Sequence, residues 1–368
     1  MDRKQYTMKI KNLKNVFNSS PYKNFKLYRE LWKKTESYDL LTSFPLHLDI
    51  ELSGVCNLKC DFCFQNGLIK EPLGLMKYSL FKKIIDEGTD KGLCAIKLQV
   101  RGESFLNPKL FECISYAKKK GVMDVQLTTN GTFLSEENIN KILDSELDII
   151  ILSVDSNHES SYDKKYEKKS YSIVEQNIKR LLNIRNQKKQ KRPWVRLKTS
   201  VFENKMDVYQ KAKNDIKKSF SEADAIIISR IHNLKNDMPA YPDLFDNYIM
   251  EPCSYLMQRL TIFWNGDITV CCMDYNNQFQ LGNIYNNSIE DIWMSDKLNR
   301  FRLLHANNKR KSMEICKNCH ACIISNNENT FVDDTKRHFS DYNCKSVIKN
   351  FSSIDDEAIS RYKNSILN

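Results

Sequence analysis

No run in this chain approaches the ~18 consecutive apolar residues that a membrane-spanning helix needs, and the first residues, MDRKQYTMKIKNLKNVF, lack the apolar stretch of a secretory signal. Both absences point to a cytoplasmic, reducing setting as the expectation. They also weigh against reading the twelve cysteines as a disulfide framework. Internal repeats are missing, and so is any low-complexity tract beyond a Lys/Asn bias. The compact pattern of aromatic and basic residues that marks RNA-binding modules is missing too. What remains for the cysteines is metal or redox chemistry.

Charge is present but uneven. The net formal charge is +11 over 368 residues, and residues 1–34, with ten Lys/Arg against two Asp/Glu, hold +8 of it. Such an arm could touch nucleic acid, an anionic lipid surface or an acidic substrate. The plainer reading is a solvated, partly helical leader.

From residue 46 onward a rhythm sets in. The strand-like runs are LHLDIEL (46–52), CAIKLQV (94–100), VMDVQLTT (122–129), DIIILSV (148–154), VRLKTSVF (195–202) and AIIIS (225–229). Helical stretches at 79–88, 108–121, 130–145 and 172–189 lie between them. Alternation of this kind predicts parallel βαβ units. Gly88 and Gly121 stand where helix C-caps are expected. Six units are too few for a closed eight-unit barrel and suit an open doubly wound sheet or a partial barrel. Residues 231–250 read as a linker, and the stretch beyond about 325 as a polar tail.

The chemistry announces itself through another absence. Cys56, Cys60 and Cys63 are spaced CxxxCxxC just after the first strand, and no fourth cysteine accompanies them. Ligand sites in parallel α/β folds form at the carboxyl ends of strands. Structural zinc and electron-carrying 4Fe–4S clusters take four protein ligands, so three thiolates leave one metal position open, as catalytic sites do. Cys94 reads as the buried start of the second strand and Cys113 as helix core.

With CNLKCDFC behind a strand that carries an acidic residue, this region resembles the radical S-adenosylmethionine (SAM) superfamily. Other family positions follow at successive strand ends: Arg101-Gly102-Glu103 in place of Gly-Gly-Glu, then Asn130-Gly131, then Ser153-Val154-Asp155. The resemblance covers roughly residues 46–230. It implies a 4Fe–4S cluster on Cys56, Cys60 and Cys63 whose open iron takes the amino and carboxylate groups of SAM. It also implies SAM contacts from Phe62, Gly102, Glu103, Asn130, Ser153 and Asp155. The family's Arg after the fourth strand is replaced by lysines in YDKKYEKK, which leaves Lys165 or Arg196 as the substitute.

Further on, EPCSYLMQRLTIFWNGDITVCCMDYNN and ICKNCHAC resemble the SPASM/twitch domains that hold auxiliary iron–sulfur clusters. Cys253, Cys271, Cys316 and Cys319 match the ligand positions, and Cys272, Cys322 and Cys344 do not. TIFWNGDITV reads independently as a hairpin on an Asn-Gly turn, which draws Cys253 and Cys271 together. On spacing alone the four thiolates could also hold structural zinc.

The resemblances together imply a partial (β/α)6 TIM-like barrel with a small C-terminal SPASM/twitch domain. The expected segments are a basic extension (1–45), the barrel (46–235), the auxiliary domain (236–325) and a tail (326–368). The implied activity is reductive cleavage of SAM to a 5′-deoxyadenosyl radical, hydrogen abstraction, and two-electron oxidation of substrate with the auxiliary cluster as acceptor. A flavodoxin- or ferredoxin-type reductant is the implied partner. A sugar or cyclitol, as in the aminocyclitol dehydrogenases, is the first substrate class, since nothing before residue 46 reads as a folded peptide-recognition domain. Peptide modification, as in peptide maturases, is the second. Arg230 and His232, after the sixth strand, are candidates for substrate binding and proton removal. A reading of another class is an iron–sulfur or zinc protein without SAM chemistry that grips nucleic acid by its basic arm. Nucleic acid is otherwise not expected as a partner.

Overall fold

A computed structural model of the chain describes residues 8–10, 21–36, 38, 40–60, 63–65, 67–154, 169–201, 206–230, 252–317, 319 and 331–332. Residues Met1–Val332 form one compact unit, and a second unit, Asp333–Asn368, lies outside the described residues.

The six expected strands are present as β3 (His47–Ile50), β4 (Ala95–Leu98), β5 (Asp124–Thr129), β6 (Ile149–Ser153), β7 (Trp194–Val201) and β8 (Ala225–Arg230). Between them run α2 (Tyr78–Lys91), α3 (Leu110–Lys119), α4 (Glu136–Asp144), α5 (Lys169–Gln187) and α6 (Met206–Ser219). All neighbours pair in parallel and in sequence order. A doubly wound sheet would reverse its order at a switch point. The unbroken order 3-4-5-6-7-8 is that of a barrel, and this one does not close.

Local causes are plain. In α2, Leu80, Phe81, Ile84, Ile85 and Gly88 recur at helical spacing and are buried. In α4, Ser135 caps the helix by accepting from the Asn138 N–H at 3.2 Å, and Glu136 and Glu137 favour its positive end. Ile149, Ile150, Ile151 and Leu152 are all buried, as expected of a central parallel strand covered on both faces. Gly121 has a φ of +95°, the left-handed turn expected just past a helix end. Gly88 is corrected: it lies inside α2, and Gly92, with φ of +93°, ends that helix. Gly88 has no side chain because a Cβ there would lie 2.6 Å from Leu93 Cδ2.

The auxiliary region extends the same sheet. α7 (Tyr255–Gln258) leads into β9 (Arg259–Ile262), which pairs in parallel with β3. β10 (Asp267–Thr269) and β11 (Gln280–Asn283) follow antiparallel. The expected Asn-Gly hairpin is closed by a Gly266 N–H bond to Phe263 O at 2.9 Å, with Gly266 at φ +88°. α8 (Ile289–Trp293) and α9 (Asp296–Ala306) complete the region, and β12 (Phe331–Val332) pairs with β8. The described part of the basic arm is not a solvated leader. β1 (Met8–Ile10) pairs in parallel with β2 (Leu40–Thr42) across α1 (Pro21–Glu36), and α1 buries Phe25, Tyr28 and Leu31.

Candidate active site at the ends of the barrel strands

The loop bearing Cys56, Cys60 and Cys63 leaves the carboxyl end of β3 past Glu51. That carboxylate, fully buried, grips the equally buried Arg101: Nη2 donates to Oε1 and Nε to Oε2, both at 2.7 Å. Arg101 also donates from Nη1 to Tyr275 O at 3.0 Å, and its guanidinium lies 3.9 Å from the Phe263 ring centroid. One bidentate pair therefore ties the first strand, the second strand end and the auxiliary hairpin together.

Gly102 sits against the chain that carries the cysteines. A Cβ there would fall 2.3 Å from Val55 O and 2.4 Å from Ser53 O, and the next residue's N–H bonds to Val55 O at 2.9 Å. The close approach at this glycine is thus to the cysteine loop's own backbone. Glu103 is buried and does not pair with Arg101. Its carboxylate accepts from Thr129 Oγ1 at 2.9 Å, the Phe105 N–H at 3.1 Å and the Asn130 N–H at 2.8 Å. Burial raises its pKa against the pull of these donors. Asn130 donates from Nδ2 to Asn57 Oδ1 at 2.9 Å and stands 3.9 Å from Cys56 Sγ, which also accepts from the Leu58 N–H at 3.5 Å. Gly102, Glu103, Asn130 and the cysteine loop are one connected structure. Burial pushes the Cys56 thiol up. Three half-buried sulfurs, one already receiving N–H donors, form a donor set suited to an iron–sulfur cluster, whose sulfurs accept such bonds.

Ser153 ends β6 half-buried, paired with Lys198, and Arg196 is buried on β7 opposite Ile151. Ser153 and Arg196 share the inner face of the sheet by register. Arg230 ends β8 with its backbone opposite Val201, but its side chain lies outside the described residues. His232, Asp155, Phe62 and Lys165 lie outside them altogether, as do Cys322 and Cys344.

The second cysteine set collects at the opposite end of the sheet. Because β10 runs antiparallel to β9, with Thr269 opposite Thr261, the chain reaches Cys271 near the start of β9, close to Cys253. Cys271 and Cys272 share a hydrogen bond that raises the pKa of the first and lowers that of the second, and Cys253 and Cys319 raise Cys271 further. The Met273 N–H points to Cys271 Sγ at 3.4 Å. Arg310 donates to the carbonyls of Cys316 and Cys319, holding the CxxC turn, whose Cys319 N–H bonds to Cys316 O at 3.2 Å. Tyr38 Oη donates to Cys253 O at 2.8 Å, and His305 Nδ1 accepts the Cys253 N–H at 3.1 Å. Among the described residues no three of these side chains already stand as a preformed metal-binding group. The donor chemistry, half-buried thiols with backbone N–H groups and arginines nearby, still fits a cluster.

Sequence reasoning missed the Glu51–Arg101 pair and the stacking of Phe64 on Tyr275 at 5.1 Å. It also missed the inner-face charges Asp49, Lys97 and Arg259. Each depends on a partner between 48 and more than 200 residues away in the chain. Glu51 alone left a trace, as an acid at the end of an apolar strand.

Residues 50–187 match the radical SAM superfamily, and residues 253–320 match the SPASM iron–sulfur cluster-binding domain. The chain is 27% identical over 281 residues to the antilisterial bacteriocin subtilosin biosynthesis protein AlbA of Bacillus subtilis, covering 68% of this chain and 60% of that protein's length. It is 23% identical over 319 residues to the tungsten-containing aldehyde ferredoxin oxidoreductase cofactor-modifying protein of Pyrococcus furiosus, covering 75% of this chain and 88% of that one. Streptococcus suis SuiB, solved with its precursor peptide SuiA, superposes with a TM-score of 0.54 at 15% identity over 80% of this chain and 73% of SuiB, a likeness of fold. The two matched domains bring 4Fe–4S clusters and S-adenosylmethionine as cofactors. This chain belongs to the radical SAM superfamily of enzymes and carries a SPASM iron–sulfur cluster-binding domain.

Proposed function

We propose that the chain is a radical SAM oxidoreductase whose substrate lies on the inner face of the open barrel, between the two cysteine sets, and loses two electrons there. The observation that carries this reading is the parallel pairing of β3 with β9. It sets Cys56, Cys60 and Cys63 beyond one end of the strand pair and Cys253 and Cys271 beyond the other, about 13 Å of four-residue strand apart. When bound, the cofactors supply a 5′-deoxyadenosyl radical for hydrogen abstraction at the first set and an electron acceptor at the second.

The chain's own residues do the rest. Cys56, Cys60 and Cys63 hold the first cluster, and Asn130 and the Leu58 N–H steady the Cys56 sulfur. Glu103 fixes the Asn130 turn and offers its remaining lone pairs to the SAM ammonium group. Ser153 and Arg196, on the inner face by register, are assigned to the ribose or carboxylate of SAM. Cys253, Cys271, Cys316 and Cys319 hold the second cluster, with Arg310 keeping the CxxC turn closed. Arg230, which ends β8, and His232, two residues on in the sequence, are assigned to substrate binding and proton removal. A flavodoxin- or ferredoxin-type protein supplies the electron that starts each turnover. The polar inner face suits a small hydroxylated substrate. The Bacillus relative, named for its part in making a bacteriocin, favours a peptide as the second reading.

The test is anaerobic reconstitution with iron and sulfide, then SAM and reductant. The expected result is deoxyadenosine from the wild type. The Cys56→Ala/Cys60→Ala/Cys63→Ala variant should yield none and hold about four fewer irons per chain. Continued deoxyadenosine release from that variant would refute the assignment. Tightly bound zinc in it, with no residual iron, would refute the second cluster.

A further inference from the structure

On the inner face of the sheet two cations, Lys97 and Arg259, gather about the carboxylate of Asp49. Registers set Asp49 beside both Lys97 and Thr261, His47 beside Arg259, and Lys97 beside Gln126. Paired residues point to the same side of a sheet, so these side chains share one face. The same alternation runs on through Gln126 and Ile149 to Arg196 and Lys198. Glu51 is spent on Arg101, and Asp124, on the same face, accepts from Gln126 Nε2 at 2.8 Å, which leaves Asp49 as the acid beside Lys97 and Arg259.

Asp49 is fully buried. Its Oδ1 takes Lys97 Nζ at 3.1 Å and His47 Nε2 at 3.2 Å, while Arg259 Nη1 stands 3.6 Å from Oδ2. Burial works against the carboxylate, but Lys97, Arg259 and His47 outweigh it and hold its pKa far below the usual range. Burial lowers the pKa of His47 despite Asp49, so the ring is neutral at pH 7 and adds no charge. Lys97 and Arg259 thus face one carboxylate, Asp49, and the Cys272 thiol, whose pKa is lowered to about 7 by the Cys271 hydrogen bond and by these two cations. Arg259 is packed in place, its guanidinium 4.1 Å from the Tyr255 ring centroid and 5.1 Å from that of Trp32.

A second observation is independent of charge. Asp49 Oδ2, Arg259 Nε and Thr261 Oγ1 are all buried and have no hydrogen-bond partner among the described residues. Buried polar atoms are nearly always bonded, and a group of orphans in one place calls for an explanation, which a polar guest would supply. The guest must accept from Arg259 and Thr261, and two buried cations beside a single carboxylate favour a guest that is anionic.

We infer that this floor binds an oxyanion of the substrate, a carboxylate or a phosphate. Lys97 and Arg259 hold the charge, Thr261 donates a hydroxyl bond, and Asp49 Oδ2 accepts from a hydroxyl or amine beside the oxyanion. The inference rests on the reading that substrate lies between the two cysteine sets. It narrows that substrate to an anionic one, anchored from below while its far end faces the SAM site.

The experiment uses the full chain with its clusters reconstituted. Inorganic phosphate and acetate are titrated separately at constant ionic strength, against sodium chloride, and tryptophan fluorescence reports through Trp32. The wild type should show saturable binding of at least one oxyanion, and the one it prefers names the substrate's anionic group. Lys97→Gln should weaken that binding about tenfold or more, and Lys97→Arg should keep most of it. Thr261→Val removes a hydroxyl at constant shape and should weaken it too, so the test stays readable even if Lys97→Gln folds poorly. Absence of saturable binding in the wild type, or equal binding by Lys97→Gln and wild type, overturns the inference. So does a Lys97→Gln variant that shifts only the reduction potential of the second cluster, since the cations would then serve that cluster. Deoxyadenosine formation by the wild type is assayed apart. Its absence sinks the proposed function and leaves the oxyanion titration to judge this site alone.

Discussion

Gly102 shows how one residue type can be forced by a neighbour far along the chain. Only hydrogen fits where the carbonyls of Ser53 and Val55 cross it, since a Cβ would meet both oxygens at under 2.5 Å. Gly102→Ala must push the cysteine loop away or break the Glu103 N–H bond to Val55 O. Thermal melting should show a loss of at least about 2 kcal/mol, and iron bound at the first set should fall with it. His47 carries a pH signature. Burial lowers its folded pKa, so the unfolded chain takes the proton more readily. The stability this contributes is complete above the unfolded pKa of about 6.5 and is lost as pH falls below it. Denaturant unfolding between pH 8 and pH 5 should show that decline, and His47→Gln should flatten it. Asp49 acts in a separate window. Its depressed pKa withdraws stability only as pH falls through the ordinary carboxylate range near 4.

At the scale of elements, strands and helices from residue 47 to 230 were legible because each repeats a period and ends in turn residues. The three-cysteine loop and the hairpin about Asn265-Gly266 were legible as spacings. The Glu51–Arg101 pair, the Asp49 floor and the tie of the auxiliary hairpin to β3 were not, since pairing between distant segments leaves no local pattern. Charge misled in the arm. Its lysines suggested solvation, yet α1 hides Tyr28 and Leu31 at 1% exposure each. Lysines and arginines cover the other side of that helix, and Arg29 lies 5.4 Å from the Trp32 ring centroid. The arm also joins the auxiliary region: Gln258 Nε2 donates to Trp32 O at 3.0 Å, and Trp293 Nε1 to Thr42 O at 2.6 Å. Leu31→Ala should therefore cost about 2–5 kcal/mol in denaturant unfolding, the range for a leucine deleted from a core. A solvated leader would lose nothing measurable.

For the molecule as a whole, one sheet holds both cysteine sets, so folding joins what chemistry keeps apart. On the proposed assignment, the three-cysteine set leaves a position open on its cluster and can activate SAM, whereas the four-cysteine set, once filled, is closed and can only pass electrons or shape the pocket. If the second cluster is an electron acceptor, its loss leaves the first step intact. Cys316→Ala should still release deoxyadenosine from SAM under reductant and fail to complete substrate oxidation. The continuity of β3 with β9 makes a fold control necessary, because metal binding often adds folding free energy and a loosened hairpin would reach the first site through Arg101 and Tyr275. Circular dichroism and a melting curve supply that control. A folded Cys316→Ala enzyme that oxidises substrate at the wild-type rate would remove the acceptor role and leave residues 253–320 a structural one. Retained deoxyadenosine release with oxidation lost is the outcome that the opposed placement of the two sets predicts.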